Sequence, residues 1–144
     1  MVDFSSMLQK SPEELPRPPA LPIGNYGGQI SKYEFDDKNK NKTPYCRVHV
    51  KLHSWPEEIG ADERGRPLGS LSRDYYLKDK DGGDSIQWML AELVRSCGLK
   101  GRSLEELIPE LPGKEVIVQV KQYVSEKTSE IGNDIGKMTG VDGA

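Results

Sequence analysis

Residue types able to do chemistry concentrate in one stretch, Thr43-Pro44-Tyr45-Cys46-Arg47-Val48-His49-Val50-Lys51-Leu52. Polar and apolar residues alternate there with a period of two, the pattern of a strand buried on one side. Cys46, Val48, Val50 and Leu52 fall on the inner side, and Tyr45, Arg47, His49 and Lys51 on the outer. The outer set joins an aromatic ring, two fixed cations and a histidine. Such a set can neutralise phosphates and stack a base, the two demands of a single-stranded nucleic acid. Tyr45, Arg47 and Lys51 carry the most weight, because alternation alone puts them on one face. Lys32 and Tyr33, Lys40 and Lys42 in a polar turn, Tyr75, and Lys121 with Tyr123 offer the same chemistry elsewhere.

Other chemistry lacks its constellation. His49 and His53 lie about 13 Å apart along an extended strand, too far to share a metal, and the chain has only these two histidines. Cys46 and Cys97 have no metal-type spacing and read as small buried hydrophobes. Asp79, Asp81 and Asp84 with Gly82 and Gly83 imitate a calcium loop, but the twelfth position is Leu90 where a glutamate is needed. Glu57-Glu58 and Asp62-Glu63 have no partner base and read as solvated acids. No phosphate-cradling, dinucleotide-binding, zinc-protease or nucleophile-elbow motif occurs. The residues imply neither a cofactor nor an enzyme.

The 20 Lys and Arg against 23 Asp and Glu give a net charge of −3, which excludes coating a polyanion by bulk charge. A nucleic-acid reader must then gather its cations on one face. Fifteen glycines and ten prolines in 144 residues favour many turns, hence a β or α+β fold. No apolar run approaches the roughly 18 residues of a membrane span, and Met1–Lys10 has no secretory pattern, so a cytoplasmic protein is expected.

The elements that position these residues follow in order. Residues 1–22 form a Pro-rich arm. In it Phe4, Met7 and Leu8 make one amphipathic turn able to dock, Ser11 to Glu14 reads as a capping box, and Pro16, Pro18, Pro19 and Pro22 force extended geometry. A domain follows over 23–141, and 142–144 fray. A first strand spans Gly24–Phe35. Ile30 has the opposite parity from Tyr33 and Phe35; Gly27 and Gly28 mark close packing or a bulge, and a bulge would change the parity locally. The second strand is Thr43–Trp55, a long loop covers Pro56–Ser72, and the third strand is Arg73–Lys78, with Tyr75 and Tyr76 on opposite faces.

Asp84 is placed to cap a helix whose stripe is Ile86, Met89, Leu90, Leu93, Val94 and Cys97, stopped by Gly98. Ser103 with Glu106 caps a further helical turn. Glu115–Val124 alternates with Val116, Val118, Val120 and Val124 inward. A short fifth strand is expected near Glu130–Lys137. The chain is therefore mainly β. Three strands, a helix and two strands fit a five-stranded Greek-key barrel of the oligonucleotide/oligosaccharide-binding (OB) kind, with the helix between strands three and four plugging one end.

Several short motifs resemble one family. They are Leu21-Pro22-Ile23-Gly24-Asn25-Tyr26, Tyr33-Glu34-Phe35, Lys42-Thr43-Pro44-Tyr45, Cys97-Gly98-Leu99, Leu111-Pro112-Gly113-Lys114 and Asn133-Asp134-Ile135. Their order is similar to that in the OB-fold single-stranded DNA-binding proteins of bacteriophage replication and recombination modules, over most of residues 15–141. The resemblance implies sequence-tolerant binding of single-stranded DNA in the host cytoplasm. It also implies replication or recombination proteins as partners, and it allows a homodimer. The chain departs from that pattern in lacking a strongly acidic C-terminal tail. The alternative is an OB-like protein-interaction module that binds no nucleic acid, with the arm and the 56–72 loop making the contacts.

Overall fold

A computed structural model describes residues 3–11, 19–36, 43–79 and 81–141. The strand alternation read from sequence becomes a single antiparallel sheet. Its strands are β1 (Gly24–Asp36), β2 (Tyr45–Ser54), β3 (Ser70–Tyr76), β4 (Glu115–Val124) and β5 (Ile131–Gly140), in the spatial order β3-β2-β1-β4-β5. The inward residues Val48, Val50, Val116, Val118 and Val120 meet Tyr26, Ile30 and Leu52 in one core. Leu90, Leu93, Val94 and Cys97 of helix α2 (Trp88–Ser96 and its C-cap) close that core from the connection between β3 and β4, as the stripe predicts. Both cysteines are buried, and neither is in a disulfide.

Long β1 serves two partners. It pairs with β2 along most of its length and with β4 over Gly24–Gln29. The register slips at Gly27/Gly28, which favours the bulge over close packing alone, and again between Ile30 and Lys32. The second slip reconciles the parity of Ile30 with that of Tyr33. Its cause lies in the turn Leu111-Pro112-Gly113-Lys114: Gly113, at φ +94°, donates its N–H to Ile30 O at 2.7 Å, and Ile30 N–H donates to Lys114 O at 2.9 Å. At the other end of the domain, Asn133 accepts from Leu21 N–H at 2.8 Å and donates to Leu21 O at 2.9 Å, aided by Gln122. Leu21, counted with the arm by sequence, is thereby a core residue.

Other expectations change. The sheet stays open where the sequence implies a closed barrel: β3 and β5 form no ladder, although their Cα atoms approach within 8 Å. β3 starts three residues before Arg73, because Ser70 to Ser72 extend the ladder with Lys51 to His49. β5 is a full ten residues, since all of β4 offers it a partner. Asp84 makes no side-chain cap; a 3₁₀ turn, Ser85–Gln87, leads into α2, and Gln87 donates to Leu77 O. Ser103 does cap α3 (Leu104–Leu107), but the chain continues as a 3₁₀ turn through Pro109. Val124 is exposed, because β4 runs past the end of the core. Helix α1 (Phe4–Met7) leaves Phe4, Met7 and Leu8 exposed, undocked among the described residues. The capping box expected at 11–14 lies outside the described residues apart from Ser11, and the fraying expected at 142–144 lies wholly outside them.

Candidate nucleic-acid interface

On the outer face of β1, β2 and β3 the register lines residues into rows. Asp36, Tyr45 and Tyr76 form one, Glu34, Arg47 and Asp74 the next, then Lys32, His49 and Ser72. Cross-strand neighbours in such rows lie about 5 Å apart, close enough to pair. They do. Arg47 makes a two-pronged contact with Asp74, Nε to Oδ1 at 2.7 Å and Nη2 to Oδ2 at 3.2 Å. Those hydrogen bonds, and then the carboxylate's charge, push the guanidinium pKa further up. His49 Nε2 sits 2.8 Å from Glu34 Oε1, and that hydrogen bond holds the Glu34 carboxyl below its usual range. His53 meets Glu115 at 3.1 Å.

Tyr45 is outward by parity but not open. It is 6% exposed, with Tyr76 edge-on to it at 6.2 Å and the Arg47 guanidinium 5.2 Å over its ring. Its hydroxyl receives a hydrogen bond from Arg47 and gives one to Asp36, and burial leads the causes that raise its pKa. The open ring is Tyr76, 43% exposed. Sequence chose its neighbour Tyr75, which is 3% exposed in the core. The signal was present: Tyr75 shares the parity of Leu77, hence points inward, and Tyr76 is paired with Tyr45 across the strands. Tyr33 is likewise not an outer ring. It lies on the same side as Val48, packs against the core and meets Phe35 edge-on at 5.6 Å.

The remaining cations divide into two places. Lys32 and Lys51 are exposed on this face and form no ion pair among the described residues. Lys121 and Tyr123 are exposed on β4, separated from β2 by β1. Tyr123 rests on Gly132, where a Cβ would lie 2.6 Å from its hydroxyl, so one side of the ring is covered and the other open. Lys121 stands opposite Asp134 in the register and against Gly136. Lys40 and Lys42 lie outside the described residues. The structure thus brings Tyr45, Arg47 and Tyr76 together, keeps Lys32 and Lys51 on the same face one and two rows beyond Arg47, and sets Lys121 and Tyr123 apart. Lys32, Arg47 and Lys51 are matched by Glu34, Asp36 and Asp74, so the face holds charge without a strong net sign.

No protein-family model matches the chain, and no curated protein matches its sequence.

Proposed function

We propose that the protein binds single-stranded DNA with little sequence preference, coating or protecting it, as the OB-fold proteins of bacteriophage replication and recombination modules do. The observation that carries this reading is Tyr76, an open ring fixed edge-on against Tyr45, whose own ring Arg47 covers. A ring already immobilised loses little freedom when a base stacks on it, and each such stack contributes about 1–3 kcal/mol. Exposed Lys32 and Lys51 stand further along the same face, two and three rows from Tyr76, available to phosphates of neighbouring nucleotides. The strand pairings support an OB architecture: β1 joins both β2 and β4, β5 follows β4, β3 approaches β5, and α2 falls between β3 and β4.

The test is fluorescence anisotropy of a labelled oligo-dT strand, titrated at low and moderate salt with duplex DNA as competitor. Binding that duplex does not displace is expected, with a shallow salt slope because Glu34, Asp36 and Asp74 offset the charge of the face's cations. Tyr76→Ala should weaken it by about 5- to 100-fold, the equivalent of one lost stack. Absence of binding at low salt overturns the reading.

The second reading, a protein-interaction module, is favoured by an apolar groove of about 260 Å³ lined by Phe35, Leu77, Leu104, Ile108 and Pro109, and by the exposed turn at Phe4–Leu8. It predicts no affinity for DNA.

A further inference from the structure

The open seam of the sheet carries a second feature. Between α2, β5 and the edge of β3 lies a cleft of about 590 Å³, within the usual range for small-ligand sites. Arg73, Arg95 and Lys137 line it, against the single carboxylate of Glu92. None of the three cations forms an ion pair among the described residues. Trp88 stands at the cleft, 58% exposed, although it begins the helix that plugs the core. Tyr75 lines the cleft too, and its hydroxyl is a buried side-chain polar atom without a hydrogen-bond partner. A buried hydroxyl left unpaired is costly, and such groups in native proteins call for an explanation. The Arg73 guanidinium covers the Tyr75 ring at 4.9 Å. Arg73 also lines a shallow depression that holds Arg47, Asp74 and Tyr76, so the cleft adjoins the outer face.

We propose that this cleft receives one nucleotide of a bound single strand, with its base against Trp88 and its phosphate among Arg73, Arg95 and Lys137. Arg73 turns from the Tyr75 ring towards the phosphate and uncovers the hydroxyl, which then gains a hydrogen-bond partner on the nucleotide. The inference rests on the single-stranded DNA reading and deepens it. It assigns the strand a path from Tyr76 across the edge of β3 rather than along β2. Three unpaired cations favour an anion, and an exposed indole beside them favours a planar group; a nucleotide has both.

Oligo-dT is titrated by anisotropy against the wild-type chain, Trp88→Ala, Lys137→Glu, Tyr75→Phe and, for the outer face, Tyr76→Ala, with thermal unfolding of each variant as a check on folding. Trp88 and Lys137 are exposed, so their variants should fold. The proposal expects Trp88→Ala and Lys137→Glu to weaken binding tenfold or more at unchanged unfolding temperature. It expects Tyr75→Phe to weaken binding threefold or more while unfolding no earlier than wild type. If Tyr76→Ala weakens binding and the cleft variants do not, the cleft assignment is overturned and the DNA-binding reading stands. If the wild-type chain does not bind oligo-dT at low salt, both fall.

Discussion

The outer face of β1–β2–β3 and the cleft beside α2 use the same residue types and reach opposite electrostatic states. On the face, antiparallel register sets Arg47 between Glu34 and Asp74, and His49 within reach of Glu34. There β2 has a neighbour on each side, β1 and β3, able to supply a counter-charge. In the cleft, Arg73 lies on an edge strand, Lys137 on the other edge, and Arg95 on a helix. No ladder crosses the seam to set a carboxylate in register with them; Glu92 lines the cleft and Asp134 the adjoining depression, yet none of the three cations forms an ion pair among the described residues. The lesson is that a count of cations on a strand does not measure the field it presents. What stands across the ladder decides that.

The largest expected effect comes from the contact that builds the cleft. Gly140 N–H donates to Ser96 Oγ at 2.7 Å, and a Cβ there would lie 2.7 Å from Cys97 Cα. Gly140→Val should cost about 1–3 kcal/mol in urea unfolding, as overpacking does, and push α2 away from β5. If DNA affinity survives that displacement while Tyr76→Ala abolishes it, the cleft has no part in binding.

Two of the buried tyrosines, Tyr45 and Tyr75, should next respond in opposite directions. Tyr45→Phe removes hydrogen bonds to Arg47 and Asp36 and should cost about 0.5–1 kcal/mol. Tyr75→Phe removes an unpaired hydroxyl and should be neutral or stabilising by up to about 1 kcal/mol. High pH sharpens the contrast. Burial pushes the Cys46 thiol up to about 11 and the Tyr75 phenol up to about 12. The unfolded chain releases these protons first, near 8.5 and 10. Stability is therefore full below about pH 8.5 and falls as pH rises through 11 and 12. Tyr75→Phe should remove the upper part of that fall and leave the Cys46 part, as read by unfolding midpoints against pH.

The smallest effect tests the pairing on the face. Arg47 and Asp74 are both about one-third exposed, so Asp74→Asn should cost under about 1 kcal/mol. It should also free the Arg47 charge, tighten oligo-dT binding and steepen the slope of log affinity against log salt by about 0.7. An unchanged slope would mean that Arg47 faces no phosphate.

Period-two patterns fixed the strands wherever one side had to be apolar. Tyr45–Ser54 and Glu115–Val124 are legible from Val48, Val50, Val116 and Val118 alone, and the α2 stripe from its spacing. Parity also named the outer positions. It could not tell that Tyr45 is roofed by Tyr76, because that depends on which residue of β3 lies opposite. Nor could it reveal the cleft. Arg73, Trp88, Arg95 and Lys137 are scattered over 65 positions and sit on three elements that only folding brings together.

By itself the sequence determined the inward side of the central strands and of the α2 stripe and that the fold is mainly β, since burial of apolar side chains imposes a local period. The tertiary structure alone decided which charges cancel, which ring stays open and where the sheet fails to close. Those outcomes depend on register and on contacts between distant segments, and no local period encodes either.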